Sequence, residues 1–442
     1  KNGLSIPNAE SVSISGGRFA ALVPASYLAE NCSIKSYYTI GNKGYEIGES
    51  TPVAEITLDD TRYVFEKISN ACDAAAGGTV TLIADVEQTN FRLINTYGEG
   101  SNAYSVIHSE GANLTIENVT IESNANGVVF FGSLTPAAAS VADPVTFNTL
   151  NMEGVTVNSY AFALSGNGSS AEDEAWSGTA IDITNSSLNS KQGCAIYQPQ
   201  YGILNINGEE TFIEGSSGIE VRAGILNVNA GTIRANWPEF AFSDNAGGGS
   251  SVDGAAIVVS QHSTNLPINV NLNGGTYSSI SAGGMSVYEA DLLNDVATDK
   301  IEIAIDGGEY TQPVESENVK GFVENGTFSE ALPASYVSEN AVFYPVETEK
   351  GVAYTATTNT GDLSSELSVA QIGNAYYATL QEAVAAAESG ATVTLIDNVS
   401  EDIVVDEGQA ITLDLSGKTL ANVIGHTITN SGTLTIVDSG EN

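Results

Sequence analysis

Gly202–Asn207 reads GILNIN and Gly224–Asn229 reads GILNVN, with GEETFIEGSSGIEVRA between them. Apolar residues alternate with polar ones inside each phrase, the period-two signature of a strand, and Asn or Gly ends it with a bend. A return after 22 residues places each strand beside its own copy in the next passage rather than in a hairpin. The texture recurs at LTIENVTI (114–121), LNMEGVTV (150–157), IDITNSSL (181–188), VNLNGGTY (270–277) and IAIDGGEY (303–310). It predicts an all-β chain wound as a right-handed parallel β-helix. Ile121, Val157, Ile233, Tyr277, Tyr310 and Phe328 follow successive bends and are expected to form one interior stack.

A longer repeat frames these passages. GRFAALVPASYLAEN (17–31) returns as GTFSEALPASYVSEN (326–340), 309 residues later, and GGTVTLIADV (77–86) returns as GATVTLIDNV (390–399). The order predicts the end of one unit over 1–52, a complete unit over 53–356, a polar linker over 357–368 and the start of a further unit over 369–442. Each start carries a helix-forming stretch, Phe65–Ala76 and Thr379–Glu388, suited to capping an open sheet end. Each close carries a β-hairpin, Ser33–Ile47 and Val342–Ala356, which ends in or encloses a Gly turn.

The chain has 442 residues, 54 acids against 14 bases and a formal charge of −40. Nucleic acid is excluded as a partner, because phosphate binding rests on Lys and Arg. Anionic lipid and acidic polysaccharide are disfavoured by the same sign, and direct membrane insertion finds no apolar run of the needed length. Three cysteines give no metal-type spacing, and Cys32 with Cys72 is the one pair left open as a bridge. His108, His262 and His426 are too scattered for a metal site. No cofactor is called for, with Ca²⁺ left open by the acidity and the loop AEDEAW (171–176).

GNAYYATLQEAVAAAESGATVTLIDNVSEDIVVDEGQAITLDLSGKTL (373–420) resembles the opening of pectin-lyase-like β-helix repeats in large surface proteins of Gram-positive gut bacteria. The resemblance rests on Tyr-Ala-Thr-Leu before the helix, Gly-Ala-Thr-Val-Thr-Leu after it, and Ile-Thr-Leu-Asp-Leu-Ser-Gly-Lys-Thr-Leu beyond. It implies a secreted, cell-surface location and an adhesin-type role. The fold itself hosts lyases, hydrolases and inert spacers alike.

Six strands, GVVFFGS (127–133), AFALSGN (161–167), GCAIYQPQ (193–200), GIEVRAG (218–224), AAIVVSQH (255–262) and MSVYEAD (285–291), are expected to stack in one sheet. Insertions at 134–144, 168–177 and 292–299, with 236–254, would wall a groove beside it. Ser165, Tyr197, Gln198, Arg222, Gln261, His262, Tyr288 and Glu289 are read as facing that groove, with Trp176 and Trp237 in its loops. Aromatics beside amides and one Arg suit sugar stacking or a protein partner. An enzyme would use the same groove. The carboxylate motifs of the fold's inverting hydrolases are missing: the one Asp-Asp pair, Asp59-Asp60, precedes the first helix, and Gly425-His426 lacks the following Gly. A lyase would rely on Arg222 as base with Glu289, although Glu220 shares a strand face with Arg222 and offers it an ion pair. The sequence thus leads to a surface array binding a host or dietary glycan, or a host protein such as mucin or immunoglobulin. A polysaccharide lyase or glycosidase, or a spacer without ligand, stand as alternatives.

Overall fold

The computed structural model describes residues 12–39, 42–75, 79–84, 86–87, 104–132, 147–167, 178–245, 248–261, 263–290, 300–359, 361 and 365–440. Strands make up 52% and helices 6%, so the chain is all-β, with large parallel sheets. Among the described residues no helix is long and apolar enough to cross a membrane.

The stretch Gly202–Val228 shows how the sheets arise. Gly202–Asn207, Phe212–Gly215 and Ile219–Val221 are three successive strands, and the chain then returns at Gly224–Val228. Each strand pairs in parallel with its counterpart in the next passage: Leu204 with Leu226, Ile213 with Ile233, Ile219 with Ile257. The return is tight. Gly224 has φ +81°, and a Cβ there would lie 2.5 Å from the Gly202 carbonyl oxygen, so only glycine fits.

Constant register turns the alternation into columns. On the first ladder Leu114, Leu150, Ile181, Leu204, Leu226, Val270 and Ile303 lie side by side. On the second, Ile121, Val157, Leu188, Ile213, Ile233, Tyr277, Tyr310 and Phe328 do the same. All are buried in one apolar core, and the stack expected from the sequence is this second column. Each such aliphatic contributes about 1.5–3 kcal/mol on burial. The aromatic end of the column adds stacked rings, Tyr310 lying 4.8 Å from both Tyr277 and Phe328. Outside the first ladder, asparagines link in rows: Asn271 donates to Asn227, Asn227 to Asn205, and Asn205 to Asp182, each at 2.8 Å.

The third ladder is a separate sheet of eight parallel strands in chain order: β1 (Ser105–Glu110), β2 (Asn126–Phe131), β3 (Leu164–Ser165), β4 (Ile196–Gln198), β5 (Ile219–Val221), β6 (Ala255–Ser260), β7 (Met285–Ala290) and β8 (Val314–Ser316). It contains the six strands expected to stack, plus one at each edge. Its inner column runs Ile107, Val128, Leu164, Ile196, Ile219, Ile257, Val287, Val314.

The two echo segments adopt the same structure. Gly17, Arg18 and Phe19 pair antiparallel with Ile47, Glu46 and Tyr45, and Gly326, Thr327 and Phe328 pair with Ala356, Thr355 and Tyr354. Both hairpins form, Cys32–Thr39 with Asn42–Glu49 and Val342–Thr348 with Gly351–Thr357. Beyond each hairpin a short helix follows, α1 (Ile68–Ala75) and α2 (Leu380–Ala386). Thr379 caps α2 through a reciprocal box with Glu382. The core does not stop at either hairpin. Ile34 pairs with Phe65 and Phe343 with Ala375, both in parallel, and one cluster holds buried residues from Val23 to Leu413. Cys32, Cys72 and Cys194 are all free thiols, so the Cys32–Cys72 bridge left open by the sequence is not formed.

Candidate functional site

The side chains expected to line an open groove are placed on two different faces of the third sheet. Neighbours in a strand point to opposite sides, and the register sorts them. Ser165, Tyr197, Glu220, Val258, Tyr288 and Glu315 form the outer row. Gln198 and Glu289 align instead with Val221 and Val259, two members of the apolar core. Their assignment to the groove-facing side is therefore corrected.

The outer row is not open either. Every residue of β5, β6 and β7 is buried, because residues 236–245 and 248–254 fold back over the sheet. Ala241–Phe242 pairs with Val252–Asp253, and Phe240 N donates to the Ala282 carbonyl. Beneath this strap sits a sealed polar node. Glu220 accepts from Ser251 N at 2.9 Å, Ser251 Oγ at 2.7 Å and Ser260 Oγ at 3.0 Å. Arg222 Nε lies 3.8 Å from Glu220 Oε1. Its Nη1 donates to the Gly249 carbonyl at 2.9 Å, and its Nη2 to those of Asn245 at 2.6 Å and Gln261 at 3.0 Å. Tyr197 Oη accepts from Gly249 N, and its ring stacks on Phe162. Burial raises the Glu220 carboxyl, opposed by Arg222 and the serine hydrogen bonds, and burial likewise raises the Tyr197 phenol.

The node fastens the strap, and the Arg222–Glu220 pair suggested by strand alternation is what forms. Arg222 and Glu289, the pair a lyase would use, are both fully buried in unrelated surroundings. Glu289 accepts from Ser316 Oγ, Asn318 N and Asn318 Nδ2 at 2.8–2.9 Å. Gln261 Nε2 donates to the Leu266 carbonyl. Trp237 is half-buried where the strap begins. Trp176, His262 and the insertions 134–144, 168–177 and 292–299 lie outside the described residues.

One predicted residue reaches an open cleft. Tyr288 lines a cavity of about 430 Å³ between residues 312–317, which include β8, and the turn 328–336. Its phenol donates to Glu317 Oε1 at 2.9 Å. Phe240 packs edge-on to its ring at 5.1 Å, with Phe242 beyond at 6.3 Å and 44% exposed. Gln312, Glu315 and Glu330 supply further polar groups, and Tyr336 forms a wall with its hydroxyl fixed to Ser316 N and O. Partial desolvation, then the neighbouring Glu317, raises the Glu315 carboxyl. Burial raises the Tyr288 phenol, reinforced by Glu317.

The sequence reading missed Glu315, Glu317, Glu330 and Tyr336. The alternation VESEN (314–318) just after the last stacked strand was the available signal. Among the described residues no three His, Cys, Asp or Glu side chains gather as a metal set. No protein-family model, curated protein or solved structure matches the chain.

Proposed function

We propose that the chain is an extracellular bacterial surface protein, built of right-handed parallel β-helix units of the pectin-lyase-like kind, that binds a neutral glycan in the Tyr288 cleft. The solenoid reading is supported by three parallel ladders that receive strands in turn around one core, interrupted by the antiparallel pair at 241–253 and with Ile301–Tyr310 serving two ladders, since parallel crossovers are right-handed with few exceptions. The observation that carries the binding reading is the cleft itself. Tyr288 and Tyr336, both otherwise buried, line its wall, while Gln312, Glu315, Glu317 and Glu330 offer acceptors. Sugar recognition uses this pairing of an apolar ring face with convergent hydrogen-bonding groups. The carboxylates and the charge of −40 select a neutral host or dietary glycan over a uronic-acid polymer. With Arg222 and Glu289 both buried, binding is better supported than lysis.

A glycan array followed by calorimetry tests the reading. Neutral oligosaccharides should bind the full chain, uronates should not, and Tyr288→Ala should weaken binding about tenfold or more. Release of unsaturated or reducing ends from any bound polysaccharide would replace binding with catalysis, and an array without hits would leave a spacer.

A further inference from the structure

The Tyr288 cleft has two walls of different origin. One is the third sheet, with Tyr288 on β7 and Val314–Ser316 of β8. The other is the turn 328–336, which carries Glu330. That turn is tied to residues beyond the closing hairpin, in segment 369–442. Leu332 lines the cleft, and its carbonyl accepts from Tyr377 Oη at 3.0 Å. Tyr336, also in the lining, lies under the Lys320 ammonium at 5.3 Å. Lys320 in turn reaches Glu388, shortly after α2, at 2.6 Å. Hydrogen bonds from Lys320 and then Ser335 hold the Glu388 carboxyl below its usual range, so Glu388 grips the turn as well as the lysine. Phe328 adds an apolar route: it lines the cleft and lies 6.0 Å from Phe343, which lies 6.3 Å from the Tyr377 ring.

We propose that Tyr377 and the Lys320–Glu388 pair are positioning residues for this cleft, so that segment 369–442 sets the spacing of its walls. The inference rests on the glycan reading of the same site. Tyr377 is a fixed post, its ring fully buried in the common core. Its hydroxyl holds Leu332, two residues from Glu330, and losing it leaves the Leu332 carbonyl unpaired. Lys320 and Glu388 are each about half exposed, so their pair contributes less and is screened by salt. A glycan touching both walls needs Glu330 at a set distance from Glu315. A turn free to shift must be ordered on binding, and that cost appears as lost affinity.

The test is calorimetry on the full chain with cellotetraose and lacto-N-tetraose as neutral probes, beside hydrogen exchange without sugar. Tyr377→Phe keeps the ring and should weaken binding about threefold to fivefold. Lys320→Met should weaken it less, and Lys320→Arg should leave it unchanged; this pair of variants decides the matter if Tyr377→Phe fails to fold. Exchange at Ser316, whose N–H donates to Tyr336 Oη, and at Tyr336 should rise in Tyr377→Phe while Leu204–Ile206 stays constant. A merely structural role would lower the melting temperature and leave the affinity of the folded variants at the wild-type value, and that result would overturn the proposal. Wild type binding neither probe would count against the glycan reading. Exchange alone then decides the positioning, faster at Ser316 and Tyr336 upholding it and unchanged rates overturning it.

Discussion

Arg222, the residue after β5, turns to the same side as Glu220, guanidinium Nε 3.8 Å from carboxylate Oε1, and neither side chain is exposed to solvent. Their partners are chiefly groups of the strap and of the turn after β6. Removing one charge strands the other in a dry site, which costs about 3–5 kcal/mol, whereas removing both costs far less. Arg222→Met should therefore lower the urea midpoint strongly, and Arg222→Met/Glu220→Gln should recover much of the loss. Hydrogen exchange at 248–251 should rise in the single variant.

Tyr310 is the centre of the ring column, 4.8 Å from Tyr277 and from Phe328, with its hydroxyl donating to the Gly307 carbonyl at 2.9 Å. Tyr310→Ala should cost about 3–5 kcal/mol by opening a cavity. Tyr310→Phe loses only the hydrogen bond, about 1 kcal/mol. Denaturant titration separates the two, and similar losses would mean the ring contributes little.

Gly224 joins a left-handed φ to a close approach of the Gly202 carbonyl. Gly224→Ala should cost more than about 1 kcal/mol. A nearby exposed control, Gly248→Ala, meets no atom within 4 Å and should leave the melting temperature unchanged.

Asp414 accepts from Ser439 N and Oγ and from Ser416 N, and these hydrogen bonds hold its carboxyl below the usual range. A depressed carboxylate stabilises the fold at pH above its unfolded value, about 3.9, and the gain is lost as pH falls through the lower folded value. Amide exchange in 433–439 should accelerate, relative to that trend at Leu204–Ile206, on acidification below about pH 4. Asp414→Ala should be fast at every pH.

Much of this architecture was legible because it is local. Alternation at Leu204 and Ile206, the return at Gly224 and the ring positions Tyr277 and Tyr310 each follow from strand geometry. Constant register then spreads them into columns. The helix before each TVTL phrase and both hairpins were legible for the same reason. Exposure was not. Tyr197, Arg222 and Tyr288 do leave the core, but a strap formed by residues 236–245 and 248–254 settles on them, and nothing in their own strands encodes where it lands. Gln198 and Glu289 each follow an outward residue, Tyr197 and Tyr288, and so face in. The Tyr288 cleft needs Glu317 and Glu330 from segments brought together only by the closing turn.

The junctions at Ile34–Phe65 and Phe343–Ala375 have a mechanical consequence. Lys35 reaches Glu66 at 2.9 Å, Lys43 reaches Asp73 at 3.2 Å, and Lys320 reaches Glu388 at 2.6 Å across these joins. Asn374 Nδ2 donates to the Ser338 carbonyl at 2.8 Å, and Tyr377 Oη to that of Leu332 at 3.0 Å. A joint built of continuous sheet, shared rings and charge clamps bends like a beam rather than a hinge. Torque applied at one end of such a column is delivered to the other.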